Sequence, residues 1–317
     1  MEHMNPLTVG DIEICWLSGG DFKLDGGTMF GVVPKVLWQK RYPVDADNCI
    51  LMRNDPLLVR TPDAVVVIDT GLGNKLSEKQ QRIYQVSSSW EIPAQLNQLG
   101  MTREDVDYVV LTHGDFDHAG GIEMINAAGE CELTFPKATH IVQKKEWQDL
   151  SRPGDRAKAT YLEENFFLLR RRGRLQLVEG DVEICPGIVV RHTGGHTRGH
   201  QMVEMTSRGE TALHLGDLCP THAHVHPLWV MAYDNFPLEA IARKKQYLTE
   251  YLAKGSWFTL YHDPFHRAVK IDAAYQIIAC WPEPAAGTDC AAAERVRQQR
   301  AAGDSGTGRG NRKPNGS

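Results

Sequence analysis

The run Leu111-Thr112-His113-Gly114-Asp115-Phe116-Asp117-His118-Ala119-Gly120-Gly121 decides both the fold and the place of the chemistry. It packs two imidazoles and two carboxylates into six positions directly behind an apolar stretch. Burying such a cluster at a strand end is costly unless a cation neutralises and coordinates it. A solvated polar turn is the bland alternative. Histidine nitrogen and carboxylate oxygen without a cysteine cluster suit zinc, or manganese, iron or cobalt in the same geometry.

Upstream of this run the pattern is strand-rich. Asp11 to Leu17 alternates, Asn48 to Arg53 and Pro56 to Val59 are short apolar runs, and Ala64-Val65-Val66-Val67-Ile68 is a β-branched run suited to a buried strand. That run ends in Asp69, either a turn residue or a brace for the site. Residues Ser77 to Leu99 look mostly helical and stop at Gly100, and Tyr108 to Leu111 forms a second buried strand. Strand, helix, strand in this order indicates α/β layers. Further on, Ala138 to Val142 reads as a strand, followed by a mainly helical stretch to about Arg174. Within it, Tyr161 to Leu169 spaces its apolar residues as a helix packing on the body would. Strands resume at 182–185, 188–192, 201–205 and 211–215. Phe236 to Ala253 reads as a helix with Leu238, Ile241, Leu248 and Leu252 on one face.

Three later strand ends deliver further ligand types. Thr193-Gly194-Gly195-His196-Thr197-Arg198-Gly199-His200 carries glycines that let the backbone turn sharply. Leu213-His214-Leu215-Gly216-Asp217 ends in an acid, and Phe258-Thr259-Leu260-Tyr261-His262-Asp263-Pro264 in a histidine. One lone histidine is more often structural than ligating. The joint pattern is far harder to reach by accident.

Taken in order, HxDxDH, GHTxGH, GD and HD resemble the metallo-β-lactamase superfamily over roughly residues 10 to 280. The resemblance implies an αββα sandwich of the α/β class, with a two-metal site at one edge of the paired sheets. It implies that His113, Asp115 and His196 bind one metal, that Asp117, His118 and His262 bind the second, and that Asp217 bridges them. Asp115 departs from the pattern, which more often has histidine there. Two divalent ions, zinc foremost with manganese, iron or cobalt as alternatives, are the cofactors implied. Such ions lower the pKa of a water towards ~7 and polarise the substrate oxygen. Asp117 and Asp217 are the implied catalytic carboxylates, with Asp117 steering a proton to the leaving group. His200 is expected to be supportive. His214 lies three residues before Asp217, so strand alternation turns it to the other face as an ordinary buried or surface histidine.

Within the superfamily, Asp25 to Pro34 and the ending His262-Asp263-Pro264 resemble the acyl-homoserine lactonases. That places Met29 and Phe30 beside the substrate channel. Those lactonases carry a tyrosine three residues after the bridging aspartate, where this chain has Pro220. Tyr233, His222, His224 or His226 are the candidates to replace it. His222, His224 and His226, bracketed by Pro220 and Pro227, are expected at the pocket rim or as support behind the ligands, in preference to binding metal themselves. A lactone or related ester is therefore the expected substrate. A phosphotriesterase or arylesterase of the same superfamily is the alternative, and an iron-dependent oxidoreductase or a non-catalytic metal-braced module are the readings from other classes.

Composition sets the outer limits. The 317 residues carry a net charge of −5 with a pI near 6.2. That balance argues against nucleic acid as a partner, and no apolar run is long enough for a membrane span. The seven scattered cysteines show no CxxC pair and fit reduced thiols in a cytoplasm. A catalytic domain is expected over 1–283, with a homodimer possible. The polar, Gly-, Arg- and Ser-rich stretch 284–317 is expected to be a disordered tail.

Overall fold

A computed structural model describes residues 5–284 together with Cys290 and Gln298. Two seven-stranded sheets form the body. The first runs, in spatial order, Leu7–Val9, Ile12–Trp16, Leu57–Arg60, Val65–Ile68, Tyr108–Val110, Thr139–Gln143 and Leu175–Val178. Its first four strands form an antiparallel meander, and its last three add in parallel, with Val67 opposite Val109 and Ile141 opposite Val110. The second sheet runs from Val182–Cys185 to Ile277–Trp281 in strict chain order. One pair there is parallel, Glu210–His214 with Trp257–Thr259, joined by the helix Pro237–Leu252.

The β-branched run explains the layering. Val66 and Ile68 face the second sheet, packing with Ile14, Val59, Val190 and Val203. Val67 faces the other way, against Ile92, Leu96 and Val109. Strand alternation thus buries both faces, as in sheets covered on each side. The outer face of the second sheet presents Leu213, Phe258 and Val269 to Leu248 and Tyr251 of the long helix. The result is the expected αββα sandwich.

Several expectations are corrected. The 77–99 stretch holds two short helices, Glu78–Ile83 and Ile92–Gln98, separated by a loop that reaches the site. After Thr139–Gln143 the helix ends at Ser151, because residues 152–174 follow turns and single 3-10 turns. Tyr161, Phe166 and Leu169 are nonetheless buried, so their helix-like spacing serves burial without a helix. On Pro237–Leu252 the buried face is Ala240, Lys244, Tyr247, Leu248 and Tyr251, whereas Leu238 is 81% exposed. Cys280 and Cys290 are disulfide-bonded, against the expectation of reduced thiols throughout. Most of the presumed tail lies outside the described residues, but Gln298 Nε2 donates to the Arg41 carbonyl at 3.0 Å. No helix among the described residues is long and apolar enough to cross a membrane.

Candidate metal centre

Parallel strands collect their C-terminal ends at one edge, where ligands of open α/β sheets gather. Val65–Ile68 delivers Asp69, Tyr108–Val110 delivers Thr112 and His113, Glu210–His214 delivers Asp217, and Trp257–Thr259 delivers His262. The short helix Phe116–Ala119 presents Asp117 and His118 from its first turn. The turn after Ile188–His192 presents His196. Gly195 there has φ +84°, and a Cβ on Gly199 would stand 2.1 Å from the Glu146 amide nitrogen, so only glycine lets this turn seat.

These side chains converge. His113 Nε2 and His196 Nε2 lie 3.5 and 3.4 Å from Asp115 Oδ2, and 4.0 and 3.6 Å from Asp217 Oδ2. On the other side, His118 Nε2 and His262 Nε2 each lie 3.2 Å from Asp217 Oδ1, and His262 Nε2 is 3.6 Å from Asp117 Oδ2. The two oxygens of Asp217 therefore face two separate groups. His113-Asp115-His196 and Asp117-His118-His262 each bring their donor atoms within 4.8 Å of one another.

The hydrogen bonds behind the rings fix which nitrogen points inward. Nδ1 of His118 meets Asp69 Oδ2 at 2.9 Å, that of His262 meets the Arg53 carbonyl at 2.8 Å, and that of His196 meets Asp234 Oδ1 at 2.9 Å. His113 Nδ1 lies 3.0 Å from Thr112 Oγ1, whose own proton goes to Asp69 Oδ2. With every Nδ1–H donated outward, all four Nε2 atoms turn lone pairs toward Asp217. His118 Nε2 and His262 Nε2 face each other at 3.1 Å, an arrangement that needs a proton or a cation to share. His113 Nε2 and Asp217 Oδ1 are buried with no hydrogen-bond partner. Orphaned buried acceptors of this kind fit a metal ion.

The electrostatics agree. Burial alone would raise the Asp217 carboxyl, yet the charges of His118 and His262 hold it well below the usual range. Asp115 is likewise held low against burial, by His113 and His196. Burial opposes charge on His118, but Asp217, Asp69 and Asp117 push its pKa well up, and Asp115 and Asp234 do the same for His196. The carboxylates thus demand positive charge at the rings, which protons and divalent ions compete to supply.

The supporting residues divide between those the sequence suggested and those it hid. Asp69 is a brace: it accepts from the Thr112 amide at 2.7 Å as well as from Thr112 Oγ1 and His118. His214 is buried outside the ligand groups but is not turned away from the centre: its Nδ1 lies on Thr259 Oγ1 at 2.9 Å and its Nε2 3.8 Å from Asp69, because Asp217 sits on a 3-10 turn past the strand end, where alternation no longer relates the two. His200 is also buried and supportive, with Nδ1 on Thr193 Oγ1 at 2.5 Å. Asp234 and Glu146 escaped notice. Glu146 accepts from the Gly114 amide at 2.8 Å, Tyr161 Oη at 2.7 Å and Thr197 Oγ1 at 2.7 Å, tying the loop that carries His113 and Asp115 to the turn that carries His196. No local pattern marks either residue, since the bonds that tie them to the site, Glu146 to Gly114 and Asp234 to His196, each span more than thirty positions of sequence.

A cavity of about 230 Å³ opens over the centre, lined by Asp115, Asp117, His196, Asp217 and His262 at its floor. Leu24, Met29, Met52, Phe116 and Met231 make apolar walls, and Tyr84, Tyr233 and Thr160 add hydroxyls. Of the residues expected at a substrate pocket, Met29 and Tyr233 line this cavity, and Phe30, His222 and His224 do not. Phe30 is fully buried, stacked between Trp38 and His224. His222 pairs with Asp263 at 2.5 Å, and His224 Nε2 lies 2.8 Å from the Met29 carbonyl. The 3-10 turn His222–Val225 rolls these rings into the core, where an extended loop would have left them at the rim.

Comparison with known proteins follows this geometry. Residues 51–266 match the family described as the metallo-beta-lactamase superfamily. A probable metal-dependent hydrolase from Staphylococcus aureus superposes with a TM-score of 0.82 at 40% identity, covering 86% of this chain and 98% of that one. An N-acyl homoserine lactonase from a Bacillus species is 30% identical over 171 residues, 52% of this chain and 61% of the lactonase, so the match spans less than two thirds of that enzyme. A dizinc quorum-quenching lactonase in complex with its product shares the fold, with a TM-score of 0.70 at 18% identity over 88% of this chain and 97% of that one. Converging strand ends, ligand order and sequence match agree: the chain belongs to the metallo-β-lactamase superfamily.

Proposed function

We propose that this protein is a dinuclear metal-dependent hydrolase that opens a lactone or a related neutral ester. The observation that carries the reading is the inward turn of four Nε2 lone pairs onto the two oxygens of Asp217, beneath an apolar cavity. His113, Asp115 and His196 would hold one ion and Asp117, His118 and His262 the other, with Asp217 shared between them. When bound, such a pair supplies a water acidic enough to ionise near neutral pH and a Lewis acid for the substrate carbonyl. The chain does the rest. Asp69, Asp234, Thr112 and the Arg53 carbonyl keep the imidazoles in one tautomer. The apolar walls exclude bulk water and orient the acyl or alkyl part of the substrate. Asp117, on the cavity floor, delivers a proton to the departing ring oxygen.

Substrate charge separates this reading from others in the superfamily. Neither lysine nor arginine lines the cavity among the described residues, so nothing there pairs with a carboxylate or phosphate remote from the reacting bond. Neutral lactones and esters fit, whereas β-lactams and acidic thioesters do not. Similarity to a curated lactonase supports the lactone. The test is a turnover screen of the metal-loaded chain over acyl lactones, aryl esters, phosphotriesters, thioesters and β-lactams. Best kcat/KM on neutral acyl lactones or esters is expected. A clear preference for phosphotriesters would move the protein to the phosphotriesterase alternative, and a preference for β-lactams would contradict the cavity argument.

A further inference from the structure

A hydrolase of this kind gains from a hydrogen-bond donor aimed at the carbonyl oxygen as negative charge develops there. Position 220, three residues past Asp217, is proline and offers none. Four other hydroxyls or rings near the centre can be tested against their own hydrogen bonds. Tyr261 Oη donates to the Asp117 carbonyl at 2.8 Å and lies buried beneath the site. Thr160 Oγ1 donates to the Ala157 carbonyl at 3.3 Å. Tyr233 Oη lies 2.7 Å from Thr28 Oγ1, and since Thr28 gives its own proton to the Asp25 carbonyl, the phenol must be the donor of that bond. Tyr84 differs: it lines the cavity, yet its hydroxyl has no hydrogen-bond partner among the described residues.

Tyr84 is also well held. It caps the helix Glu78–Ile83, its amide donates to the Gln80 carbonyl at 2.9 Å, and its carbonyl accepts from the Lys23 amide at 2.8 Å. The ring stacks on Phe116 with centroids 4.4 Å apart and planes 21° apart, and meets Phe22 edge-on at 6.3 Å. Phe116 sits between Asp115 and Asp117, so the stack ties the phenol to the ligand loop itself. Tyr84 therefore lines the cavity on a firmly held ring, with its hydroxyl donor unspent.

We infer that Tyr84 is a catalytic residue that donates a hydrogen bond, without giving up its proton, to the carbonyl oxygen of the substrate. It supplies from the loop after Glu78–Ile83 what Pro220 cannot. The inference rests on the hydrolase reading above, and the experiment separates the two. Tyr84→Phe keeps the ring stack while removing the hydroxyl. It is compared with wild type and Tyr233→Phe, all metal-loaded, with metal content and Tm measured on each. Two quantities are read: kcat and KM on the best ester found, and the calorimetric Kd of hexanoate, whose carboxylate oxygen probes the same position without turnover. Tyr84→Phe should lower kcat roughly 10- to 100-fold with KM within about threefold, and weaken hexanoate about five- to tenfold. Metal content and Tm should stay at wild-type levels, and Tyr233→Phe should cost less. An unchanged hexanoate Kd, or a larger loss in Tyr233→Phe, overturns the assignment. A wild type that turns over no ester would end the hydrolase reading, while the hexanoate comparison would still decide Tyr84.

Discussion

Removing the Glu146 carboxylate should separate the contribution of one buried acceptor to stability from its contribution to the metal site. Glu146 is about 1% exposed, and its oxygens accept from Gly114, Tyr161 and Thr197. Glu146→Ala strands three donors in a closed space. Each unsatisfied group costs about 1–3 kcal/mol. Because the gap is polar and a water can enter it, a combined loss of roughly 3–5 kcal/mol is the better figure. Glu146→Gln keeps an oxygen for Gly114 and Tyr161, and the Thr197 hydroxyl can turn to accept from the new amide, so roughly 1 kcal/mol is expected. Gly114 lies between His113 and Asp115, and Thr197 follows His196, so both variants loosen one ligand group and spare the other. Removing such a supporting contact typically costs about 10- to 100-fold in metal affinity, here at the His113-Asp115-His196 group. Urea unfolding of the metal-free protein gives the first quantity and a stepwise metal titration the second. Equal losses at both groups, or a Gln variant as damaged as the Ala variant, would refute the reasoning.

Two further perturbations probe a buried histidine away from the centre and the carboxylate that departs from the superfamily pattern. His140 is buried with neither ring nitrogen hydrogen-bonded, and burial pushes its pKa down to about 4. The unfolded chain binds that proton from about 6.5 downward, so stability is complete above that pH and falls towards pH 4, by up to roughly 3 kcal/mol. His140→Leu should flatten this part of the pH–stability curve in urea melts at pH 7.5 and 5; parallel curves for both proteins would exclude the effect. Asp115→His should keep the fold, shift metal preference towards zinc, and move the alkaline-going activity limb to lower pH, because it removes a negative charge from the centre. Unchanged preference together with an unchanged pH profile would mean that Asp115 does not touch the metal.

The ligand-bearing strand ends were legible because their signal is local. Val65–Ile68 and Tyr108–Val110 are continuous runs of β-branched and aromatic residues, and the brace Asp69 and the ligand His113 follow them within a few residues. The lost features depend on long-range packing. Leu238 looks like a core position by spacing, yet Tyr247 and Tyr251 win the contact with the second sheet because their rings reach further. Tyr161, Phe166 and Leu169 imitate a helix while being buried from a chain of turns. His222 and His224 looked like rim or supporting residues because Pro220 and Pro227 bracket them as a loop, but Asp263 and the Met29 carbonyl draw them inside. Asp234, Glu146 and Tyr84 could be found only once the backbone had brought distant segments together.

The central claim is that Asp217 joins two metal sites in one chain. Metal analysis of the loaded, well-folded protein, by elemental quantification against protein concentration after free metal is removed, tests it most directly. The account expects about two ions per chain in the wild type, and a marked fall in Asp217→Ala, which deprives both groups of a shared oxygen donor. A fully loaded wild type that holds a single ion would contradict it.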